Sequence, residues 1–366
     1  MKYYIIAGEA SGDLHASNMM KELKLQDEDA QFRFWGGDLM EAQGGKPVKH
    51  FRELAFMGFT EVVMNLRTIF RNMDFCKEDI KAYKPDAVIL VDYPGFNLRV
   101  AKMVKKMGLG FKVVFYISPT VWAWHQSRVY TIKKYVNLLL CILPFEKAFY
   151  KKFDYDVAFV GHPLLDAITK GEKRTPAITS DKPIIALLPG SRKQEIRLVL
   201  PQMLSVMKYY PGYNFVIAGA PSMPASFYEQ FTKGTDVKIV FNRTYDLLSQ
   251  SHTALVTSGT ATLETALFDI PQVVCYKGGT ISYLIGKQLV TIKWISLVNL
   301  ILDRQVVTEL IQGDLTTIKL KEELDKVIDG PGRKQMLEDF EELKHKLGDS
   351  GASKNAATEI IQFLKK

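Results

Sequence analysis

Short apolar runs such as VILVD (88–92) and VVFYIS (113–118) recur along this chain, and amphipathic stretches with helical spacing separate them. Strands that alternate with helices are joined by crossovers, which lay the strands parallel and put helices on both faces of the sheet. The first series reads as strands at 3–9, 32–35, 87–92, 113–118, 138–143 and 158–160. A polar linker containing Pro and Gly, TKGEKRTPAITSDKP (169–183), interrupts it. A second series follows at 184–188, 215–218, 237–241, 254–257 and 272–276. The expected fold class is α/β, with two Rossmann-like domains (1–168 and 184–345) facing across a cleft and ligands at the carboxyl ends of the strands. From 319 onward the chain reads as helical, broken at GPG (330–332) and GDSG (348–351). The last piece, 346–366, is expected to return to the first domain.

Two domains suit a chain of 366 residues, because single cores stop growing below that size. The opening apolar run is too short for the core of a secretory signal, so none is expected. No uninterrupted apolar run approaches the roughly 18–20 residues of a membrane span. Cys76, Cys141 and Cys275 form neither a disulfide framework nor a metal spacing, which fits a reducing compartment. The net charge of +8 is concentrated: between Arg99 and Lys152, eleven Lys and Arg accompany one acid, Glu146. Aromatic residues, among them Phe111, Tyr116, Trp122, Trp124 and Tyr130, lie within the same stretch. Such a surface suits nucleic acid, an anionic membrane face, or simply solvent above core aromatics. No RNP, zinc-finger or helix-turn-helix signature accompanies it, so no nucleic-acid partner is expected. Residues 59–75 and 283–303 carry apolar positions at helical spacing beside Arg67, Arg71, Lys287 and Lys293. Such stripes usually belong to a core, and the alternative is a helix lying on a bilayer.

The loops after the strands carry the chemistry. AGEASGDLHA (7–16) joins strand to helix through Gly8 and Gly12, which lack the G-x-G-x-x-G spacing of a dinucleotide cradle. Glu9 and Asp13 would repel a pyrophosphate there, so this loop suits a sugar or hydroxyl ligand better. ALLPGSRKQEI (186–196) differs: a Pro-Gly turn leads through Ser191 and Arg192 into a helix, whose free N–H groups and guanidinium suit a diphosphate. In LVTSGTATLETAL (255–267) the small residues Ser258, Gly259, Thr260 and Ala261 allow close approach of a phosphate, and Glu264 can accept from ribose hydroxyls. Asp92 ends a strand before Pro94-Gly95, where a carboxylate can serve as general base. His125 and His162 can each be structural or face the cleft. No His, Cys or Asp grouping has metal spacing.

Six motifs in order resemble the lipid-A-disaccharide synthase family of GT-B glycosyltransferases: AGEASGD (7–13), VDYPGFN (91–97), SPTVWAW (118–124), VGHPLLD (160–166), LLPGSRKQEI (187–196) and SGTATLE (258–264). The resemblance implies a GT-B fold and an inverting transfer that joins UDP-2,3-diacylglucosamine to 2,3-diacylglucosamine 1-phosphate (lipid X), releasing UDP. It implies work at the cytoplasmic face of a Gram-negative inner membrane, on anionic lipids, without cofactor or metal, and it allows a homodimer. Ser191, Arg192 and Ser258–Ala261 would hold the phosphates and Glu264 the ribose. Glu9, Asp13 and Asp92 would lie near the acceptor sugar, with Asp92 as base and Arg192 steadying the departing diphosphate. Ser11, Trp122, His162, Asn299 and Glu309 would be further substrate-side residues. Val298 and Thr308 replace family prolines, and His125 stands where arginine is usual. The rival readings are another GT-B enzyme using a UDP-amino sugar, with a lipid-linked acceptor, and a UDP-sugar 2-epimerase.

Overall fold

The computed structural model describes residues 1–53, 66–169, 175–279 and 292–366. It divides into two compact units, one of Met1–Asp166 with Asp349–Lys366 and the other of Ala167–Gly348.

The first unit is built on β1 (Lys2–Ala7), β2 (Gln31–Gly36), β3 (Lys46–His50), β4 (Ala87–Val91), β5 (Lys112–Tyr116), β6 (Leu138–Cys141) and β7 (Ala158–Phe159). They form one parallel sheet in the order β3-β2-β1-β4-β5-β6-β7. Alternate side chains of β1 go to opposite faces, as a pleated strand requires. Tyr3, Ile5 and Ala7 join one core, while Tyr4 and Ile6 join the other. The helix Ala352–Lys365 covers the first of these cores beside the helix Ala10–Gln26, through Ala356, Ala357, Ile360 and Ile361. Asp166 fixes the start of that helix by accepting from the N–H groups of Ala352 (3.2 Å) and Ser353 (3.0 Å).

The second unit contains β8 (Ile184–Leu188), β9 (Asn214–Gly219), β10 (Lys238–Phe241), β11 (Ser251–Thr257), β12 (Gln272–Tyr276) and β13 (Thr308–Ile311). Their parallel order is β10-β9-β8-β11-β12-β13. In each unit the chain moves outward from a central strand, then crosses to that strand's other side. The reversal falls between β1 and β4 in one sheet and between β8 and β11 in the other. Loops leaving the carboxyl ends of such neighbours diverge and leave a crevice, the usual ligand position in open α/β sheets.

Two strands, β3 and β13, were not expected from the sequence. Each is an outer edge strand, and their sequences KPVKH and TELI are mostly half-exposed. A strand covered on one side only carries no continuous apolar run. The stripe at 59–75 lies partly outside the described residues. Its described part opens the helix Leu66–Tyr83, where Phe70 and Phe75 are exposed. Of 283–303, residues up to 291 lie outside, whereas the helix Leu297–Leu302 buries Val298, Ile301 and Leu302 in a core. Part of the linker, 170–174, is also outside the described residues. Among the described residues no helix is long and apolar enough to cross a membrane.

Candidate active site

At the reversal in the second sheet, the loops after β8, β9 and β11 enclose a cavity of about 420 Å³, within the usual size range for small-molecule sites. Seven residues expected at a nucleotide diphosphate meet here: Ser191, Arg192, Ser258, Gly259, Thr260, Ala261 and Glu264. The β8 loop turns at Gly190 (φ +107°), where a side chain would also strike Glu195. Glu195 accepts from the Arg192 N–H at 3.4 Å and opens the helix Lys193–Leu204. The Arg192 side chain remains 74% exposed and 3.9 Å from Glu195, free to meet an anion. Among the described residues, it is the one cation lining the cavity. Across the cavity, Gly259 adopts φ +131° and leads into the helix Thr260–Leu267. Tyr245 donates to Glu264 at 2.8 Å, and burial raises the Glu264 carboxyl above its ordinary range. The sequence reading missed the third wall, Gly219, Ala220, Pro221 and Thr244. The signal was a strand that runs into Gly-Ala-Pro, a turn in small residues at a carboxyl end.

Asn299 and Glu309, expected as substrate-side residues, are not among the residues that line this cavity. They bond to each other, Asn299 Nδ2 donating to Glu309 Oε1 at 2.9 Å. Asn299 is fully buried and also serves Val306 N–H (2.7 Å), Val307 N–H (2.9 Å) and the Val307 carbonyl (2.9 Å). Glu309 accepts from Ile295 and Ser296 N–H, and the Ile295 carbonyl in turn accepts from Ser258 at 2.8 Å. The pair therefore braces the loop that carries Ser258. Replacing Asn299 by Leu strands several buried backbone groups, each worth about 1–3 kcal/mol. The expected loss is roughly 2–4 kcal/mol, read as an earlier denaturation midpoint at unchanged slope.

In the first unit, Glu9 follows β1 and Asp92 follows β4, so both stand at the reversal of that sheet. Asp92 and Tyr93 are both left-handed (φ +46° and +50°), a costly arrangement for two non-glycine residues in a row. Asn97, fully buried, holds it by donating to the carbonyls of Asp92 (2.7 Å) and Val91 (3.2 Å). Gly8 completes the turn, since a Cβ there would lie 2.3 Å from the Tyr93 ring. Burial, then the neighbouring Glu9 charge, raises the Asp92 carboxyl to about 6. The sequence reading missed Asn97 as the brace of this turn, although it lies inside VDYPGFN.

The other expected residues divide. Ser11 is exposed near Glu9, in the first turn of the helix Ala10–Gln26. Asp13 is buried, and its two oxygens accept from the N–H groups of Gly37 (2.7 Å), Leu39 (3.1 Å) and Met40 (3.2 Å). That geometry ties the Asp13 carboxylate to the start of the short helix Asp38–Ala42. His162 is buried, its Nδ1 accepts from Leu164 N–H at 3.2 Å, and burial lowers its pKa to about 3. It is a neutral ring bracing a turn. Trp122 lies just beyond β5, edge-on to Phe145 at 5.0 Å. Among the described residues no group of three or more His, Cys, Asp or Glu is arranged to hold a metal ion.

The chain matches the family model described as lipid-A-disaccharide synthetase over residues 3–361. The lipid-A-disaccharide synthase of Myxococcus xanthus is 37% identical over 372 residues, covering 98% of this chain and 97% of that protein. That of Coxiella burnetii is 34% identical over 370 residues, covering 98% of each. Among solved structures, the UDP-GlcNAc 2-epimerase from Neisseria meningitidis bound to UDP-GlcNAc superposes with a TM-score of 0.69 at 14% identity, covering 99% of this chain and 100% of that one. The glycotransferase of kitacinnamycin gives 0.67 at 12%, covering 99% and 98%. At these identities the structural likeness is one of fold, the GT-B arrangement of two parallel-sheet α/β domains.

Proposed function

The chain belongs to the lipid-A-disaccharide synthase family of GT-B glycosyltransferases, and from that premise we propose that it joins UDP-2,3-diacylglucosamine to lipid X. The observation that carries the reading is the convergence of the Ser191–Arg192 and Ser258–Ala261 loops on one cavity at the second sheet's reversal. A diphosphate placed there would accept from backbone N–H groups and the Arg192 guanidinium, with Glu264 on the ribose. The epimerase whose title records bound UDP-GlcNAc shares this fold, which supports a UDP-sugar on the same scaffold.

The first unit would hold the acceptor, with Glu9, Ser11 and Trp122 around its sugar. Asp92 would take the proton of the attacking hydroxyl. That oxygen would bond to the anomeric carbon as the bond to the diphosphate breaks, and UDP would leave with the electron pair. In-line attack inverts the anomeric centre. Arg192 and the helix starts after β8 and β11 would stabilise the charge that builds on the leaving oxygen, without a metal. Acyl chains on both sugars would require the enzyme to meet the cytoplasmic face of the inner membrane. The exposed Phe70 and Phe75 beside Arg67 and Arg71 suit such a surface.

The test is UDP release from UDP-2,3-diacylglucosamine, with and without lipid X, in detergent containing a chelator. Release that depends on lipid X, with a disaccharide 1-phosphate by mass, is the expected result. Release without acceptor would favour an epimerase-like or hydrolytic site. No release, even with magnesium added and acyl length varied, would favour another UDP-amino sugar.

A further inference from the structure

At the β3 edge of the first sheet lies a cavity of about 280 Å³, lined by Val48, Lys49, Glu53, Arg71, Asn72 and Phe75. An irregularity in β3 brings the lysine there. Phe34 pairs with Pro47 and Trp35 with Lys49, which leaves Val48 as an extra residue in the ladder. A bulge of this kind re-aims the side chains beside it. Lys49 comes to the face of Trp35, its Nζ 5.6 Å from the centre of the ring. The same Nζ donates to Asn72 Oδ1 at 2.6 Å, and Asn72 is 2% exposed on the helix Leu66–Tyr83. An amide and an aromatic face thus hold the ammonium, and neither carries a formal charge to offset it. Other charges nearby are already engaged. His50 and Arg52 each lie 3.5 Å from Asp38, and Glu53 accepts from His50 N–H at 3.1 Å. Lys49 and Arg71, by contrast, form no ion pair among the described residues, and Arg71 is exposed. Two cations without counter-ions therefore line one cavity.

We propose that this cavity is the subsite for the acceptor's phosphate group, with Lys49 and Arg71 as the residues that bind it. The proposal rests on the reading that the first unit holds the acceptor. Trp35 connects the cavity to the Asp92 turn. Its buried ring stacks on Phe96 at 5.7 Å and lies 6.1 Å from Phe75 of the cavity. Phe96 is the neighbour of Asn97, which holds that turn. In the order β3-β2-β1-β4, the cavity and Asp92 are three strand spacings apart, about 14 Å. A sugar and its phosphate, met by a long cationic side chain at one end and a carboxylate at the other, span such a distance. With the phosphate fixed, the hydroxyl at the opposite end of the sugar is left to face Asp92. Glu53 selects for a sugar phosphate over a bare anion, because a carboxylate repels free phosphate but accepts from a hydroxyl. The lysine supplies a point charge and the arginine a planar fork, the two usual ways of holding phosphate oxygens.

The experiment measures UDP release in detergent with two acceptors, lipid X and the same diacylglucosamine without its phosphate. The unaltered protein should prefer lipid X in kcat/KM by about 10–100-fold, the worth of charge-assisted hydrogen bonds to one phosphate. In Lys49→Met and Arg71→Gln that ratio should fall toward one, mainly through a higher KM for lipid X, while calorimetric UDP affinity stays the same. Lys49→Arg, which keeps the charge, should recover part of the preference. Lys49→Met also leaves the buried Asn72 without its donor, so melting temperatures are compared. Arg71, being exposed, gives a variant whose folding is not in question. A general loss of stability would lower the rates with both acceptors and leave their ratio intact. An unaltered protein that does not distinguish the acceptors, or variants that keep the full ratio, would overturn the proposal. Sedimentation with phosphatidylglycerol vesicles separates the other source of phosphate: variants that lose vesicle binding but keep the ratio would assign the cavity to a membrane headgroup instead. If the unaltered protein released UDP without any acceptor, the acceptor reading itself would fail and the proposal with it, a result visible before any variant is made.

Discussion

Replacing Asp92 by Asn should lower lipid X-dependent turnover by about 10²–10⁴-fold, the usual contribution of a positioned general base. UDP affinity should not change, because the Asp92 turn and the cavity proposed for UDP lie in different units. The argument is geometric before it is electrostatic. The carboxyl stands at the reversal of the first sheet, on a left-handed turn that Asn97 holds and Gly8 makes room for. Asn has the same shape and tolerates that backbone conformation, so the loss would reflect the missing proton acceptor. The pH dependence follows from burial and Glu9, which raise the carboxyl to about 6. Activity on lipid X should climb as pH passes through 6 and level off above it, as the base loses its proton. Stability should move the other way. The ordinary carboxyl pKa of 3.8 is lower than the folded value, so the folded state is penalised as pH rises from about 4 to 6, then by a constant amount. At pH 8, the Asn variant should be more stable by about 1–3 kcal/mol. A slower but more stable protein marks a functional carboxyl, and an Asn variant with near-normal turnover would exclude Asp92 as the base.

The same physics explains what was legible in the chain. Strands buried on both faces, such as β4 (AVILV) and β8 (IILL with one alanine), are continuous apolar runs that only a covered parallel sheet produces. β8 and β12 start and end where the sequence reading put them. The edge strands β3 and β13 were missed because half-exposed positions take any residue. The loops around the second unit's cavity were legible because backbone that lies open to a ligand is compatible with only a few sequences, such as Pro-Gly-Ser-Arg and Ser-Gly-Thr-Ala. Charged and polar residues that look inward were harder. Asp13, Asn299 and Glu309 each carry groups suited to a substrate, yet they bond to backbone groups on other elements, and Asn299 and Glu309 also to each other. The third cavity wall at 219–221 was missed for the same reason: its position depends on which strands become neighbours, and local pattern does not contain strand order.

Arg192→Ala is the second large effect expected, a loss of about 10²–10³-fold in kcat, as when a main charge stabiliser is removed from a leaving group. The cavity lining explains the size. Around the place for a diphosphate, the described residues supply two carboxylates, Glu195 and Glu264, and a single guanidinium. Glu195 already accepts from the Arg192 backbone N–H, so its charge would oppose the leaving diphosphate if the guanidinium were gone. Lysine should restore little, because its point charge cannot span two phosphate oxygens as the planar fork does. The distribution of the loss decides the role. Charge on the leaving oxygen grows only as the bond breaks, so kcat should fall further than the calorimetric affinity for UDP. Adding magnesium to the Ala variant should not recover the rate, since the proposed transfer places the stabilisation of the leaving oxygen on the guanidinium and the helix starts. A variant that bound UDP weakly but turned over at the normal rate when saturated would make Arg192 a binding residue alone. Stabilisation of the leaving group would then rest on the N–H groups at the start of the helix Thr260–Leu267.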